Sequence, residues 1–126
     1  MKKQILIILA VLVVVLGGAF FARKNTAPSI YDTFAQCITD SGAKFYGAFW
    51  CPHCRDQKAM FGSSAKLLPY VECSTPDGQS QTPICKEKEV KSYPTWTFTN
   101  ASSTTGTVEL ADLATKTGCA LPVVTN

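Results

Sequence analysis

The chain has 126 residues, 46% hydrophobic and 17% charged, with a net charge of +3, seven prolines and six cysteines. That length holds one domain and excludes a multidomain enzyme. The charge is too small and too scattered for a nucleic-acid surface, and the aliphatic and aromatic content excludes disorder. The cysteine count stands out, and its spacing must decide between an oxidising compartment, a metal site and redox chemistry.

Lys2 and Lys3 precede an uncharged apolar run from residue 5 to residue 22, followed by Arg23 and Lys24. At ~1.5 Å per residue about eighteen residues reach ~27 Å, close to the hydrocarbon thickness of a bilayer. Residues 1–22 therefore read as a signal anchor, a single transmembrane helix with the rest of the chain exported. Gly17-Gly18-Ala19 also offers a signal-peptide cleavage site, which would release the domain; both outcomes place it outside the cytoplasm. Residues 23–28 read as a linker, and residues 29–122 as the folded domain. A core that small is marginal without cross-links.

Ser29 is placed to cap a helix whose apolar positions Ile30, Phe34, Cys37 and Ile38 recur at helical spacing, with Ser41-Gly42 at its end. Lys44 to Trp50 is short and aromatic, a buried strand. Pro52 to Leu68 reads as a helix bent near Gly62. Tyr70 to Cys73 is a second strand, Ser74 to Thr82 a loop, and Pro83 to Lys91 a helix with proline in its first turn. Thr95 to Thr99 alternates as a strand. Asn100 to Gly106 is a hairpin turn, and Thr107 to Leu110 the returning strand. A last helix, Ala111 to Thr117, stops at Gly118. The order α-β-α-β-α-β-β-α is that of an α/β fold, with a parallel crossover pair and an added hairpin.

Cys51-Pro52-His53-Cys54 falls at the junction of the first strand and the second helix. A helix start presents unpaired N–H groups and about half a positive charge, which favours the thiolate at Cys51. Pro52 suits the first helical position, and His53 adds a donor beside the sulfur. Stabilising the thiolate stabilises the dithiol, making the disulfide the stronger oxidant. Cys54, one turn deeper, is the candidate resolving thiol. Two other readings compete. Zinc would need a second ligand pair, and His53 is the only histidine. A structural disulfide over so short a loop would add little stability. Ser92-Tyr93-Pro94-Thr95 is the second landmark. A strand-start Pro94, cis or trans, lets the preceding backbone pair with an extended peptide beside the thiols.

Trp50-Cys51-Pro52-His53-Cys54 together with Tyr93-Pro94-Thr95 resembles the thioredoxin superfamily, over about residues 30–118. The resemblance implies a thioredoxin-like fold, shortened at the N-terminus because the anchor and linker occupy the place of its leading strand. It implies Cys51 as nucleophile, Cys54 as resolving thiol and a cis Pro94 facing them, with no cofactor and no metal. The Pro-His pair looks like that of DsbA-like periplasmic oxidants. Residues 42–54, with Gln57-Lys58, Phe61, Tyr70-Val71-Glu72-Cys73, Cys85 and Ser92-Tyr93-Pro94-Thr95-Trp96, look closest to the thioredoxin-like domain associated with vitamin K epoxide reductase homologues. In that family the domain passes electrons from substrate cysteines to a quinone-linked membrane enzyme. The reductase helices are absent from this chain, so such an oxidase is expected as a separate partner.

In that family Cys73 and Cys85 match an extra disulfide. Six cysteines allow fifteen pairings and, with Cys51–Cys54 set, three remain. Cys73–Cys85 follows the resemblance and Cys37–Cys119 follows by elimination, with free buried thiols as the other possibility. The acid that thioredoxins bury six positions before the nucleophile is Phe45 here. A base for Cys54 must then come from Glu72, Asp56 or water. Trp50, Tyr93 and Thr95 are the substrate-binding candidates, with Trp50 and Trp96 flanking an apolar groove or Trp96 in the core; Phe49 and Phe98 are assigned to the core. The expected activity is oxidation of cysteines in exported proteins. A reductase or isomerase, or a nonenzymatic binding domain with an inert disulfide, are the alternatives.

Overall fold

The computed structural model describes residue 1 and residues 3–8, 11–13 and 29–123. Residues 3–8 and 11–13 are helical, while the remaining positions of the expected anchor and the whole linker lie outside the described residues. Among the described residues no helix is long and apolar enough to cross a membrane.

Helix α1, Asp32–Asp40, is capped by Tyr31 with no side-chain cap bond rather than by Ser29, which sits two residues earlier, donates its N–H to Asp32 Oδ2 and accepts the Asp32 N–H at its carbonyl. It buries Phe34, Ala35 and Ile38, whereas Ile30, expected on this face, precedes the helix and is exposed. The chain reverses through Gly42, whose φ of +83° suits glycine and whose missing Cβ would meet Thr99 Cγ2 at 2.8 Å. Strand β1, Lys44–Gly47, stops three residues short of the expected Trp50, because Ala48 to Cys51 turn into the next helix through a Cys51 N–H to Ala48 C=O bond of 3.0 Å. Helix α2, Pro52–Ala59, gives way to a 3-10 helix, Gly62–Leu67, across the expected bend, where Gly62 has φ +54°.

Strand β2, Tyr70–Glu72, lies parallel to β1, with Phe45 opposite Tyr70 and Gly47 opposite Glu72. Helix α3, Pro83–Glu87, is shorter than expected. The chain turns at Glu89, which has positive φ, and buries Val90. Strand β3, Thr95–Thr97, runs antiparallel to β1, setting Trp96 opposite Phe45. The returning strand is β4, Ser103–Thr105, not Thr107 to Leu110. Asn100 Oδ1 takes both the N–H and the hydroxyl of Ser102, which tightens the turn and brings the hydroxyl-bearing residues into the edge strand. Val108 is instead buried beneath α2. Helix α4, Leu110–Thr117, ends at Gly118 with φ +72°.

The element order is the one read from the sequence, and the sheet order is β2-β1-β3-β4. Alternation along β1 divides the interior. Phe45 joins Phe34, Ile38, Phe61, Trp96 and Leu113 on one face, and Tyr46 joins Cys73, Cys85 and Val90 on the other. Phe45 stacks on Trp96 at 4.7 Å. Phe98 is buried as expected, but Phe49 is 54% exposed, because the strand has already ended at its position.

Candidate active site

Cys51 is the N-cap of α2, in extended conformation (φ −75°, ψ 119°), with Pro52 in the first turn. Its sulfur accepts the Cys54 N–H at 3.2 Å, so the thiol takes the place a serine or aspartate oxygen fills in an ordinary cap. A thiolate accepts such a bond better than a thiol, and the dipole of α2 acts in the same direction. Both sulfurs belong to buried residues, at 3% and 1% exposure, and neither is in a disulfide. Cys54 is pushed up to about 12, first by burial and then by its hydrogen bond to Cys51. Cys54 thus holds its proton, while Cys51 offers its sulfur as the acceptor at the helix start.

The His53 ring pairs with Asp56, Nδ1 to Oδ2 at 3.7 Å, and both side chains are well exposed. The His53 carbonyl accepts from Thr107 Oγ1 at 3.4 Å. Trp50, half exposed, donates its indole N–H to Ser74 Oγ at 2.9 Å and meets Tyr93 edge-to-face at 5.9 Å. The Tyr93–Pro94 peptide is cis, and Pro94 is buried. The Tyr93 hydroxyl accepts from Gln81 Nε2, and the Pro94 carbonyl from the Gly106 N–H, both at 2.8 Å. Thr95, partly exposed, donates to the Ser92 carbonyl. The proline segment, the loop after β2 and the thiol helix are thereby tied through Trp50 and Tyr93. Trp96 lies apart from that surface, fully buried.

The structure places Cys73 and Cys85 in one disulfide and Cys37 and Cys119 in another. The first is fully buried beneath the loop that carries Ser74. The second ties α1 to the residue after Gly118.

Four residues given no role by the sequence reading stand on the thiol helix and on the two strands beside it. Gln57, fully buried on α2, accepts the Val108 N–H at 2.7 Å and the Trp96 indole N–H at 3.2 Å, and donates to the Val108 carbonyl at 3.0 Å. Its signal was available: it lies three residues from Cys54, on the same inward face. Gly47 leaves room where a Cβ would stand 2.9 Å from Cys54 Sγ and 2.8 Å from Tyr70 Cε2. Tyr70 donates to Glu72 Oε2 at 2.8 Å, and Lys58 Nζ lies 3.3 Å over the Tyr70 ring. Of the candidate bases, Asp56 is turned to His53 and solvent, and Glu72 already accepts Tyr70, the Phe49 N–H and the Ser74 N–H.

A mixed α/β sheet domain with two unequal thiols at a helix start defines a class of proteins built for thiol chemistry. The thioredoxin profile matches residues 29–117, and the chain belongs to the thioredoxin family. It is also 47% identical over 92 residues to the thiol-disulfide oxidoreductase LTO1 of Arabidopsis thaliana, a match covering 69% of this chain and 24% of that protein. The chain thus spans about a quarter of the length of that relative.

Proposed function

We propose that this chain is a membrane-anchored, extracytoplasmic thiol-disulfide oxidoreductase whose Cys51–Cys54 disulfide oxidises cysteines of exported proteins. The observation that carries it is the inequality of the pair: Cys51 caps α2 and accepts the Cys54 N–H, while burial holds the Cys54 proton. A substrate thiolate attacks Cys51 of the oxidised pair, Cys54 leaves, and a mixed disulfide forms. A second substrate thiolate then attacks its own sulfur partner in that bond and frees the dithiol, so two electrons pass from substrate to enzyme. Trp50, Tyr93 and Thr95 border the substrate, beside Pro94. Reoxidation falls to a quinone-linked membrane oxidase, a partner supported by the likeness to the domain of vitamin K epoxide reductase homologues. The lysines ahead of the apolar run support the anchor and the export of the domain.

The test is Cys54→Ala in the full chain, which should accumulate mixed disulfides to exported proteins through Cys51. No adducts would overturn the roles of the two thiols. The reduction potential tests direction: a value nearer −120 mV supports the oxidant, and one nearer −270 mV would make it a reductase.

A further inference from the structure

Any thiol exchange at this site requires Cys54 to carry negative charge for a moment, as leaving group in one direction and as attacking group in the other. Burial opposes that charge, and the strand position that thioredoxins give to an acid is Phe45, stacked on Trp96. Compensation comes first from a backbone hydrogen bond from Ala48 and then, as charge, from α2. Lys58 follows Cys54 by four residues, so the two share one face of the helix. Lys58 is half-buried, with its ammonium 3.3 Å over the Tyr70 ring. An edge of that ring comes to the gap at Gly47: the point where a Cβ would stand is 2.8 Å from Tyr70 Cε2, 3.3 Å from Tyr70 Oη and 2.9 Å from Cys54 Sγ. The ring is fastened by its hydroxyl to Glu72, whose carboxylate is occupied by Tyr70 and two backbone N–H groups. The ionisable groups facing Cys54 are Cys51 and Lys58 from α2 and Tyr70 from β2, with Glu72 behind Tyr70. Lys58 is the cation among them, and its charge favours the Cys54 thiolate.

We propose that Lys58, seated on the Glu72-tethered Tyr70 ring, is the positioning cation that stabilises the Cys54 thiolate during exchange. This rests on the assignment of Cys51 as nucleophile and Cys54 as resolving thiol. In the resolving direction Cys54 releases its proton to solvent and its sulfur attacks Cys51 Sγ. The Cys51–substrate bond breaks as the Cys51–Cys54 bond forms, and the substrate sulfur leaves with the electron pair. The dithiol is oxidised and the substrate disulfide reduced. In the oxidising direction the same charge favours departure of Cys54.

The probe is dithiobis(nitrobenzoate) added to the full chain with its Cys51–Cys54 pair reduced. Attack by Cys51 releases one thionitrobenzoate, and attack by Cys54 on the resulting mixed disulfide releases a second. In Lys58→Met the first release should keep its rate. The second should slow about tenfold near neutral pH, with its pH profile displaced upward by about one unit. Lys58→Arg keeps the charge and the ring contact and should restore the profile; Tyr70→Phe frees the ring from Glu72 and should displace it in the same direction as Lys58→Met. A Lys58→Met profile that coincides with wild type, or a Lys58→Arg profile that coincides with Lys58→Met, overturns the role of Lys58. A wild-type mixed disulfide that itself fails to release the second thionitrobenzoate overturns the thiol assignment instead, and this role with it.

Discussion

Gln57→Leu should be among the most damaging single changes in this domain that leaves both thiols in place. The replacement is close in volume, so packing around α2 is nearly kept and the loss isolates the polar contacts. Gln57 serves as a substitute strand partner for Val108, accepting its N–H and donating to its carbonyl, and it also takes the Trp96 indole N–H. Val108 is 4% exposed and Trp96 not at all, so water cannot replace the lost amide. Three orphaned groups at about 1–3 kcal/mol each set the gross cost. Burying an apolar side chain in place of an amide returns about 1–3 kcal/mol. The net loss should be about 3–5 kcal/mol, a large share of the ~5–15 kcal/mol typical of a whole domain. Urea unfolding of the oxidised chain, followed by tryptophan fluorescence, measures it as a lower midpoint at unchanged slope. A loss below about 1 kcal/mol would refute the reasoning, since it would mean that Val108 and Trp96 find other partners.

The remaining predictions concern the cross-links and pH. Replacing Cys37 and Cys119 together with alanine removes a link between positions 82 apart, and replacing Cys73 and Cys85 removes one between positions 12 apart. The chain-entropy account gives about 4–5 kcal/mol for the first and about 3 for the second. Urea midpoints in the reverse order would refute that account here. The reduced chain should also weaken in alkali. The folded state holds the Cys54 proton to about 12, whereas an unfolded thiol releases it near 9.0. In that window the folded state binds more protons, so stability falls as pH rises, by up to about 1.4 kcal/mol per unit, and below pH 9 this effect is absent. Tyr70, pushed up from 10.0 by burial and by Glu72, adds a fall of the same sign at higher pH. The oxidised chain lacks the Cys54 contribution, so the stability gap between the two forms should change across this window. An identical alkaline slope in Cys54→Ala and in the reduced wild type would refute the assignment to Cys54.

Much of this architecture is legible in local signals. Proline at the first turn marks the starts of α2 and α3, glycine with positive φ marks the ends of α1 and α4, and the element order follows. The misreadings have one physical source, because what ends or moves a strand here is a tertiary partner. Thr107 to Leu110 has the apolar alternation of a strand, yet Val108 pairs with a glutamine side chain, and the pairing with β3 passes to Ser103–Thr105. Phe49 looks like core because it continues an aromatic run, but the chain leaves the sheet after Gly47 to start the thiol helix. The two thiols could be recognised from spacing and placement alone. Lys58, Tyr70 and Gly47 could not, since their meeting depends on the parallel register that sets Gly47 opposite Glu72 and Phe45 opposite Tyr70.

That register also explains how the site works without an acid on β1. An acid at position 45 would have to be buried against Trp96 and Phe34, where an unpaired carboxylate is costly. The chain places an aromatic residue there, strengthening the core beneath the thiols, and the charge that acts on Cys54 comes from its own helix, four residues on. The carboxylate stands instead on β2 at Glu72, two register positions along from Phe45, where two backbone N–H groups and the Tyr70 hydroxyl satisfy it. Core packing and thiol chemistry are thus assigned to different residues. Changes at Phe45 should register chiefly in stability, and changes at Lys58 chiefly in the rate at which Cys54 reacts.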